Sequence, residues 1–233
     1  MIALKTAQLY EAGYSLAWPY LQKTTYPWEI LAEIPSIIRK LGEGLDPARY
    51  DSPSPEVWVA KTARVAPTAY IGAPAIIGEN TEVRHGAFIR GAALVGNDCV
   101  VGNSTELKNV ILFDGVQVPH YNYVGDSVLG HKAHLGAGAI TSNVKSDRTP
   151  VTVKISPVCR DMATDELPID TGLKKFGAML GDFVEVGCNS VLNPGSVVGA
   201  HTNIYPISSV RGVIPSHSIF KSGQGASLVA KRG

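Results

Sequence analysis

Residues 59–113 read VAKTARVAPTAYIGAPAIIGENTEVRHGAFIRGAALVGNDCVVGNSTELKNVILF. Every sixth residue from the first is apolar: Val59, Val65, Ile71, Ile77, Val83, Ile89, Val95, Val101, Leu107 and Phe113. A small residue mostly stands four places later, and glycine often follows the apolar residue directly, as at Gly72 and Gly78. A period of six fits neither a helical turn nor simple strand alternation. It is typical of a hexapeptide repeat, in which short strands are joined by tight turns.

The same register resumes in two later blocks, one of which contains a step shortened to five. Its apolar positions are Val118, Val124, Leu129 and Leu135, and then Leu180, Val186, Leu192, Val198, Ile204 and Val210. With three strands to an eighteen-residue coil, the repeats predict about six or seven coils, a prism about 30 Å tall. The alternative is an antiparallel β-sandwich, which would show two-residue alternation with hairpin signals about every ten residues. We therefore predict a mainly β chain built as a parallel β-helix.

Composition and charge narrow the class of protein. The 233 residues are 45% hydrophobic and 18% charged, with a net charge of +1. Near-neutral charge predicts neither nucleic acid nor an anionic membrane as the main partner. No run is apolar and long enough for a transmembrane helix, and the first residues lack the pattern of a signal peptide, so we expect a cytoplasmic protein. Cys99, Cys159 and Cys188 show no metal-ligand spacing, and Cys99 occupies an inward position that suits a packed thiol.

Residues 1–55 lie outside the repeat and predict a helical N-terminal arm with a linker. From Thr25 the run TYPWEILAEIPSIIRKLGEG predicts a helix that Thr25 caps, Pro35 kinks or splits, and Gly42 ends. We expect the arm to cap the first coil or to reach a neighbouring subunit. A membrane-surface helix is the alternative, but the polar face is not notably basic. Residues 56–233 are the predicted β-helix domain.

Two departures from the period are candidate functional loops, because regular coils are scaffold and irregular segments carry function. One lies between residues 113 and 124. The other is a long insertion over about residues 144–175, which we expect to form a lid over the acceptor site. The last residues predict a coil followed by a polar tail that leaves the prism.

Three segments together resemble a known enzyme family. They are RGAALVGNDCVVGNSTELKN (90–109), HYNYVGD (120–126) and LGAGAITSN (135–143). The chain resembles, over about residues 46–215, the acetyltransferase half of bacterial bifunctional N-acetylglucosamine-1-phosphate uridyltransferase/glucosamine-1-phosphate acetyltransferase. The resemblance implies a left-handed parallel β-helix, a homotrimer with active sites between subunits, and acetyl-CoA as acyl donor, with no metal. The glycine-rich phosphate loop of the uridyltransferase half is not found before residue 55, so we expect no sugar-nucleotide synthesis from these residues.

His120 is the candidate catalytic residue. Acyl transfer from a thioester needs a base that takes the acceptor's proton, and histidine ordinarily titrates close to neutral pH. His120 stands in the first irregular segment, and the resemblance implies that it is the general base. A surface histidine without a role is the alternative.

Candidate acceptor-binding residues are cationic or polar. Arg90 and Lys108 stand eighteen residues apart, which predicts that they stack one strand spacing apart with an anion between them. A solvated surface stripe is the alternative. The resemblance adds Tyr123, His134, Asn143 and Lys175. His134 replaces an asparagine and Val144 a tyrosine of the family pattern, so the reaction type is better supported than glucosamine 1-phosphate as acceptor.

Candidate donor-binding residues follow the same segments. Gly136, Ala137 and Gly138 offer backbone N–H groups as an oxyanion hole. Cys188 lies where the family often has serine, although an inert surface thiol fits as well. Lys221, Lys231 and Arg232 are candidates for the CoA phosphates.

Two other classes of function compete with an acyltransferase. A zinc enzyme of the carbonic anhydrase type would need three converging histidines, and His120, His131 and His134 do not have the spacing of matching corners. A non-catalytic β-helix that binds a sugar nucleotide or a partner enzyme is the other alternative.

Overall fold

The computed structural model describes residues 2–162, 165–221 and 227–230. Short parallel strands wind into coils and stack in three ladders, which we call the first, second and third ladder in the order in which the chain visits them. The predicted parallel β-helix is thereby confirmed, while its handedness stays a prediction. The first two ladders each have eight described strands, more than the six or seven coils predicted, because Val213–Ile214 and Ser218–Lys221 continue the coils beyond the last block of the repeat.

The ladders have the following bounds. The first contains Val57–Ala60, Ala75–Ile77, Ala93–Val95, the second halves of Glu106–Leu112 and Tyr123–Leu129, and then Ala178–Leu180, Ser196–Val198 and Val213–Ile214. The second contains Arg64–Val65, Glu82–Val83, Val100–Asn103, Gln117–His120, His134–Leu135, Glu185–Val186, Asn203–Ile204 and Ser218–Lys221. The third contains Tyr70–Ile71, Phe88–Ile89, the first halves of the two long strands, Ile140–Thr141, Val191–Leu192 and Ser209–Val210.

The repeat residues fill the interior of the prism. Ile77, Val95 and Leu107 are fully buried, and the small residues between them are buried as well. Cys99 is among these, and its thiol donates to the Phe113 carbonyl over 3.1 Å. Large and small side chains thus alternate inside each coil, as the hexapeptide pattern predicts.

A second apolar row lies on the outside of the first ladder. Strand alternation turns Ile76, Leu94 and Val128 away from the interior, yet each is fully buried. Two covers account for this burial: the N-terminal arm over the earlier coils and the insertion over the later ones. A surface of this kind would otherwise be exposed to water.

The arm folds along the side of its own prism. Its helices are Thr6–Leu9, Trp18–Leu21 and Ile34–Glu43, with a 3₁₀-helix at Pro27–Ala32, and Tyr50–Ser54 pairs antiparallel with Val57–Ala60. Asn109 Nδ2 donates to the Leu31 carbonyl over 3.1 Å, and the Trp28 and Phe176 rings lie 5.6 Å apart. The helices of the arm therefore cover the first ladder, because that ladder carries the outward apolar row, while the strand Tyr50–Ser54 pairs with the open edge of the first coil.

The predicted arm helix is divided near Pro35. The 3₁₀-helix ends at Ala32, and the following α-helix begins at Ile34 with Pro35 in its first turn, where a missing N–H costs no hydrogen bond. That helix ends at Glu43, one residue beyond the predicted stop. None of the described helices is long and apolar enough to span a membrane.

The insertion packs as the second cover. Thr152–Val153 pairs antiparallel with Ile169–Asp170, and Pro157–Met162 forms a 3₁₀-helix. Val153 is fully buried, and Ile155 pairs in parallel with Val213 and so extends the first ladder. Within the described residues, the insertion makes no hydrogen bond or ion pair to Lys108 or Tyr123. It lies beside the candidate acceptor site, and its role as a lid over that site stays a prediction.

The end of the chain returns to the prism. Ser227–Ala230 pairs antiparallel with Ser218–Lys221, the last strand of the second ladder. The predicted departure of the tail is therefore wrong for residues 227–230, because the open edge of the last coil offers unpaired backbone groups. Lys231 and Arg232 lie outside the described residues.

Candidate functional site

The acceptor candidates gather around a buried carboxylate that the sequence did not single out. Asp126 lies at the corner where the chain passes from the third to the first ladder, which we call the third–first corner, and it is 3% exposed. Lys108 Nζ lies 3.0 and 3.2 Å from its two carboxylate oxygens. Asn109 Nδ2 donates to Asp126 Oδ1 over 3.0 Å, and Asn143 Nδ2 donates to Oδ2. We call these residues the Asp126 cluster.

The backbone at this corner explains the choice of residues. Asp126 has φ +48° and Asn109 has φ +56°, in the left-handed region that aspartate and asparagine tolerate. A Cβ atom on Gly125 would lie 2.5 Å from the Tyr123 hydroxyl oxygen, so a larger residue there would have to displace the Tyr123 side chain. The sharp corner thus places short polar side chains where they reach one another across adjacent coils.

Tyr123 borders the cluster on the third ladder. Asn143 Nδ2 donates to its hydroxyl oxygen over 3.2 Å. Burial, with a smaller contribution from the negative charges of Asp126 and Glu106, raises the pKa of Tyr123. The phenol therefore keeps its proton at neutral pH and can donate a hydrogen bond to an acceptor.

Arg90 and Lys108 are neighbours, but they do not form the predicted bare pair of cations. The strands that carry them are in register, one strand spacing apart. Arg90 Nη1 lies 2.8 Å from Glu106 Oε1, and Lys108 is held by Asp126. Each cation has its own carboxylate, so the two are not a bare pair, and the binding of an anion between them stays a prediction.

His120 lies at the opposite edge of the third ladder, at the corner between the second and third ladders, which we call the second–third corner. It ends the strand Gln117–His120, and its side chain is exposed. Its carbonyl accepts from Gly138 N over 3.0 Å, and its N–H donates to Asn122 Oδ1 over 3.0 Å. Only the short strand beginning at Tyr123 separates this corner from the Asp126 cluster.

Asn122 holds the His120 corner to the next coil, and the sequence did not single it out. Its side chain is 2% exposed, and its Nδ2 donates to the carbonyls of Gly136 and Ala139 over 2.9 and 3.0 Å. The amide therefore positions both His120 and the turn that follows Leu135.

The donor candidates of this turn lie directly beside His120 in the next coil. The carbonyl of His120 accepts from Gly138 N, that of Ala137 from Asn189 N, and that of Cys188 from Ile207 N, over 2.8–3.0 Å. His120, Ala137 and Cys188 thus follow one another along the second–third corner. A Cβ atom on Gly136 would lie 2.7 Å from Cys188 N, which shows how closely the two coils approach.

Two of the three predicted oxyanion donors are already used. Gly136 N donates to the Val186 carbonyl over 2.7 Å, and Gly138 N donates to His120. The prediction is wrong for these two glycines, because the coil ladder takes their N–H groups. For Ala137 N–H, the described part of the chain offers no acceptor.

Three predicted residues lie away from both groups. His134 is on the second ladder, and its Nδ1 lies 2.7 Å from Glu185 Oε2. Lys221 ends the last second-ladder strand, with Nζ 5.2 Å from the centre of the Tyr205 ring. Lys175 is exposed at the base of the insertion, beside Phe176, whose N–H donates to the Asn143 carbonyl over 2.9 Å. Of these three, only Lys175 lies next to the Asp126 cluster, through the hydrogen bond of its neighbour Phe176 to Asn143.

The three histidines of the zinc alternative serve different contacts. His131 stacks on Tyr14 with ring centres 3.8 Å apart, and its Nδ1 lies 2.7 Å from the Asp114 carbonyl. His134 contacts Glu185, and His120 is in the exposed corner. Over residues 2–162, 165–221 and 227–230, no group of three or more His, Cys, Asp or Glu residues could hold a metal ion.

A repeat signal could have revealed the Asp126 cluster. Asn109, Asp126 and Asn143 follow one another at steps of seventeen residues, the length of one coil in this region. Asn122 gives no such signal, because its equivalent one coil earlier is the inward residue Thr105.

Similar proteins are known by sequence, although no protein-family model matches the chain. A bifunctional sugar-1-phosphate nucleotidylyltransferase/acetyltransferase of Sulfurisphaera tokodaii is 32% identical over 118 residues, which are 51% of this chain and 27% of the relative. The bifunctional protein GlmU of Methanococcus maripaludis is 34% identical over 101 residues, 43% of this chain and 22% of the relative. The uncharacterized acetyltransferase YaiX of Escherichia coli is 30% identical over 113 residues, which are 48% of this chain and 45% of the relative.

Solved structures align more weakly. The polysialic-acid-specific acetyltransferase NeuO covers 72% of this chain and 80% of its own, with 13% identity and a TM-score of 0.44. A hexapeptide transferase family protein of Anaplasma phagocytophilum covers 76% and 80%, with 18% identity and a TM-score of 0.41.

The curated relatives extend well beyond the matched region. This chain spans about a quarter of the length of the first bifunctional relatives, at 27% and 22%. About half of the chain therefore resembles the bifunctional sugar-1-phosphate nucleotidyltransferase/acetyltransferases, and the chain itself is a parallel β-solenoid of hexapeptide repeats.

Proposed function

We propose that the protein is a CoA-dependent acyltransferase that transfers an acetyl group to an amino or hydroxyl group of a sugar phosphate or sugar nucleotide. The observation that carries the proposal is the hydrogen bond from Gly138 N to the His120 carbonyl, which brings the backbone of His120 next to that of Ala137 in the following coil. The proposed base is exposed and the proposed backbone donor belongs to the adjacent coil at the same corner. The acetyltransferase names of the sequence relatives support the same class of reaction.

In the proposed reaction His120 takes the proton of the acceptor's amino or hydroxyl group. The acceptor's nitrogen or oxygen then bonds to the thioester carbon, and the carbonyl oxygen becomes an oxyanion. Ala137 N–H is the donor placed to stabilise that charge. When the carbon–sulfur bond breaks, the CoA thiolate receives the proton from the His120 imidazolium, so the base is restored.

We assign acceptor binding to the Asp126 cluster with Tyr123. Asp126 neutralises Lys108, so the cluster offers directed hydrogen bonds suited to sugar hydroxyls more than net positive charge. Tyr123 begins the strand that follows the His120 corner and adds a hydroxyl donor. Arg90, Asn143 and Lys175 remain candidate contacts at the rim of this site.

We assign the donor to the second–third corner. From His120 the corner passes Ala137 and Cys188 and reaches the level of Lys221 after four strand spacings, about 19 Å at roughly 4.8 Å each. An extended acetyl-CoA can lie along such an edge with its thioester beside His120. Lys221 then stands at the end where the CoA phosphates would lie.

We also propose that the protein is a homotrimer with sites between subunits. Tyr121 is 66% exposed and Ile207 is 78% exposed on the same second–third corner. A neighbouring prism would cover these apolar side chains and supply the second wall of the donor groove. Sedimentation velocity tests this, and a monomer would contradict the shared site.

The test of the reaction is release of free CoA from acetyl-CoA with a panel of amino-sugar phosphates and sugar nucleotides. His120→Ala should lower kcat by about 10²- to 10⁴-fold. His85→Ala is the matched control, because His85 is exposed at the same corner of an earlier coil, with Nδ1 2.9 Å from Thr68 Oγ1. Equal activity of the His120 variant and the wild type would refute the assigned base.

A non-catalytic sugar-nucleotide binder is the second candidate. His134 and Val144 favour it, because they depart from the family pattern in the region where the family binds its sugar. Binding of a sugar nucleotide without CoA release for any acceptor would select this candidate.

A further inference from the structure

A second cationic region lies where the insertion meets the last coils. A cavity of about 190 Å³ is lined by Lys145, Lys154 and Arg211, and its other walls include Thr152, Pro194 and Gly212. Among the described residues, three cations and no acid line this cavity, while Asp147 contacts Lys145 and Asp170 accepts a hydrogen bond from the Thr152 hydroxyl. We call it the insertion cavity.

The insertion cavity lies on the same corner as the Asp126 cluster. The third-ladder residues Ile89, Leu107, Val124, Thr141, Leu192 and Val210 pair in one register. The residues that follow them at the third–first corner are Arg90, Lys108, Gly125, Ser142, Asn193 and Arg211. Arg211 therefore stands two strand spacings beyond Ser142. Measured along the prism, this is about 10 Å from the coil that carries Ser142 and its neighbour Asn143.

Within the described part of the chain, two cations of the insertion cavity have no carboxylate partner. Arg211 Nη2 donates there to the neutral Asn193 Oδ1, over 3.1 Å. The ammonium of Lys154 makes no hydrogen bond or ion pair with any described residue. Lys145 is the partly neutralised member, with Nζ 3.5 Å from Asp147 Oδ2 and bonded to Thr149. Arg90 and Lys108, by contrast, are both paired.

The backbone fixes these side chains around the cavity. Val213 N donates to the Lys154 carbonyl over 2.9 Å, so the insertion is tied to the strand that follows Arg211. Gly212, with φ +77°, would place a Cβ atom 2.4 Å from that carbonyl, so only glycine allows this approach. The cations are thus brought together by main-chain contacts, although their charges repel one another.

We propose that the insertion cavity binds a phosphate or diphosphate group carried by the acceptor. This rests on the proposed function for the identity of the acceptor, but the anion site itself does not. Arg and Lys without carboxylate partners are the groups that bind phosphoryl oxygens. The separation of about two strand spacings from the Asp126 cluster suits a sugar linked to a diphosphate, with the sugar at the cluster and the diphosphate in the cavity.

The first experiment measures binding of inorganic pyrophosphate to the full chain by calorimetry at low ionic strength. The Lys154→Gln/Arg211→Gln double variant should bind at least tenfold more weakly, because each lost charged hydrogen bond corresponds to about a factor of ten. Lys40→Gln is the matched control, since Lys40 is an exposed cation on the arm, and it should bind as the wild type does. The variants should fold, because Lys154 and Arg211 are exposed, and circular dichroism checks this.

No binding to the wild type at millimolar pyrophosphate, or equal binding by the double variant, would overturn the anion site. The second arm tests which substrate carries the group: a nucleoside-diphosphate amino sugar should displace pyrophosphate, whereas CoA should not. Displacement by CoA alone would overturn the assignment to the acceptor. These arms measure binding only, so they are decided even if the CoA-release assay shows no transfer, and that assay alone decides the reaction.

Discussion

Asn122→Ala is the most informative single change, because Asn122 connects His120, the proposed base, to the next coil. The substitution removes the hydrogen bonds to the carbonyls of Gly136 and Ala139 and the one from His120 N–H. The His120 N–H and the Ala139 carbonyl lose the partner named here. The Gly136 carbonyl loses one of two, because it still accepts from Ala139 N. At about 1–3 kcal/mol for each orphaned group, the free energy of unfolding should fall by about 2–5 kcal/mol.

The assay is urea unfolding, combined with CoA release at temperatures where the variant stays folded. Activity should fall as well, since His120 and Ala137 lose their common support. Asn103→Ala is the control at the same corner one coil earlier, where a half-buried amide donates one hydrogen bond to the His85 carbonyl over 3.0 Å. It should cost about 1 kcal/mol or less. If both variants lose the same small amount, Asn122 does not hold the corner.

Two further predictions concern the packing of the coils. Gly136→Ala should lower stability by about 1–3 kcal/mol in thermal unfolding, because the new Cβ would meet Cys188 N at 2.7 Å, whereas Gly44→Ala, with its nearest atom at 3.5 Å, should be neutral. A destabilised Gly44 variant beside an unaffected Gly136 variant would contradict the coil spacing. A thiol reagent at pH 8 should label one cysteine rapidly in the native protein, because Cys188 is exposed while burial raises the pKa of Cys99 to about 12 and that of Cys159 to about 11. Mass spectrometry of the labelled peptides checks the assignment, and fast labelling of Cys99 would show that the prism opens.

Sequence similarity bears on the class of reaction, whereas the geometry of the site bears on the acceptor. The relatives support an acetyltransferase class over about half of the chain. The acceptor depends on which charges are free, and the structure separates the paired cations Arg90 and Lys108 from the unpaired Lys154 and Arg211. A panel of acceptors should therefore compare sugar monophosphates with diphosphate-linked sugars at equal concentration.

The sequence alone determined the coil, because a six-residue period of one large and one small inward residue admits few other packings. It also singled out His120 and the turn at Gly136–Gly138, which the structure places side by side through the hydrogen bond between Gly138 and His120. These features follow from local order along the chain. The register of one coil on the next then needs only the repeat length.

Only the tertiary structure decided which charged side chains are paired and which segments cover the first ladder. Asp126 binds Lys108, Asn109 and Asn143 because the corners of successive coils lie next to one another. Asn109 and Asp126 reach these positions from left-handed backbone conformations. The arm and the insertion both cover the first ladder because its outward side chains are apolar. The six-residue period describes only the inward side chains, so it does not predict these covers. Which N–H of Gly136–Gly138 remains available is decided by hydrogen bonds to distant residues such as Val186. Each of these involves partners far apart in the chain, and no local pattern carries that information.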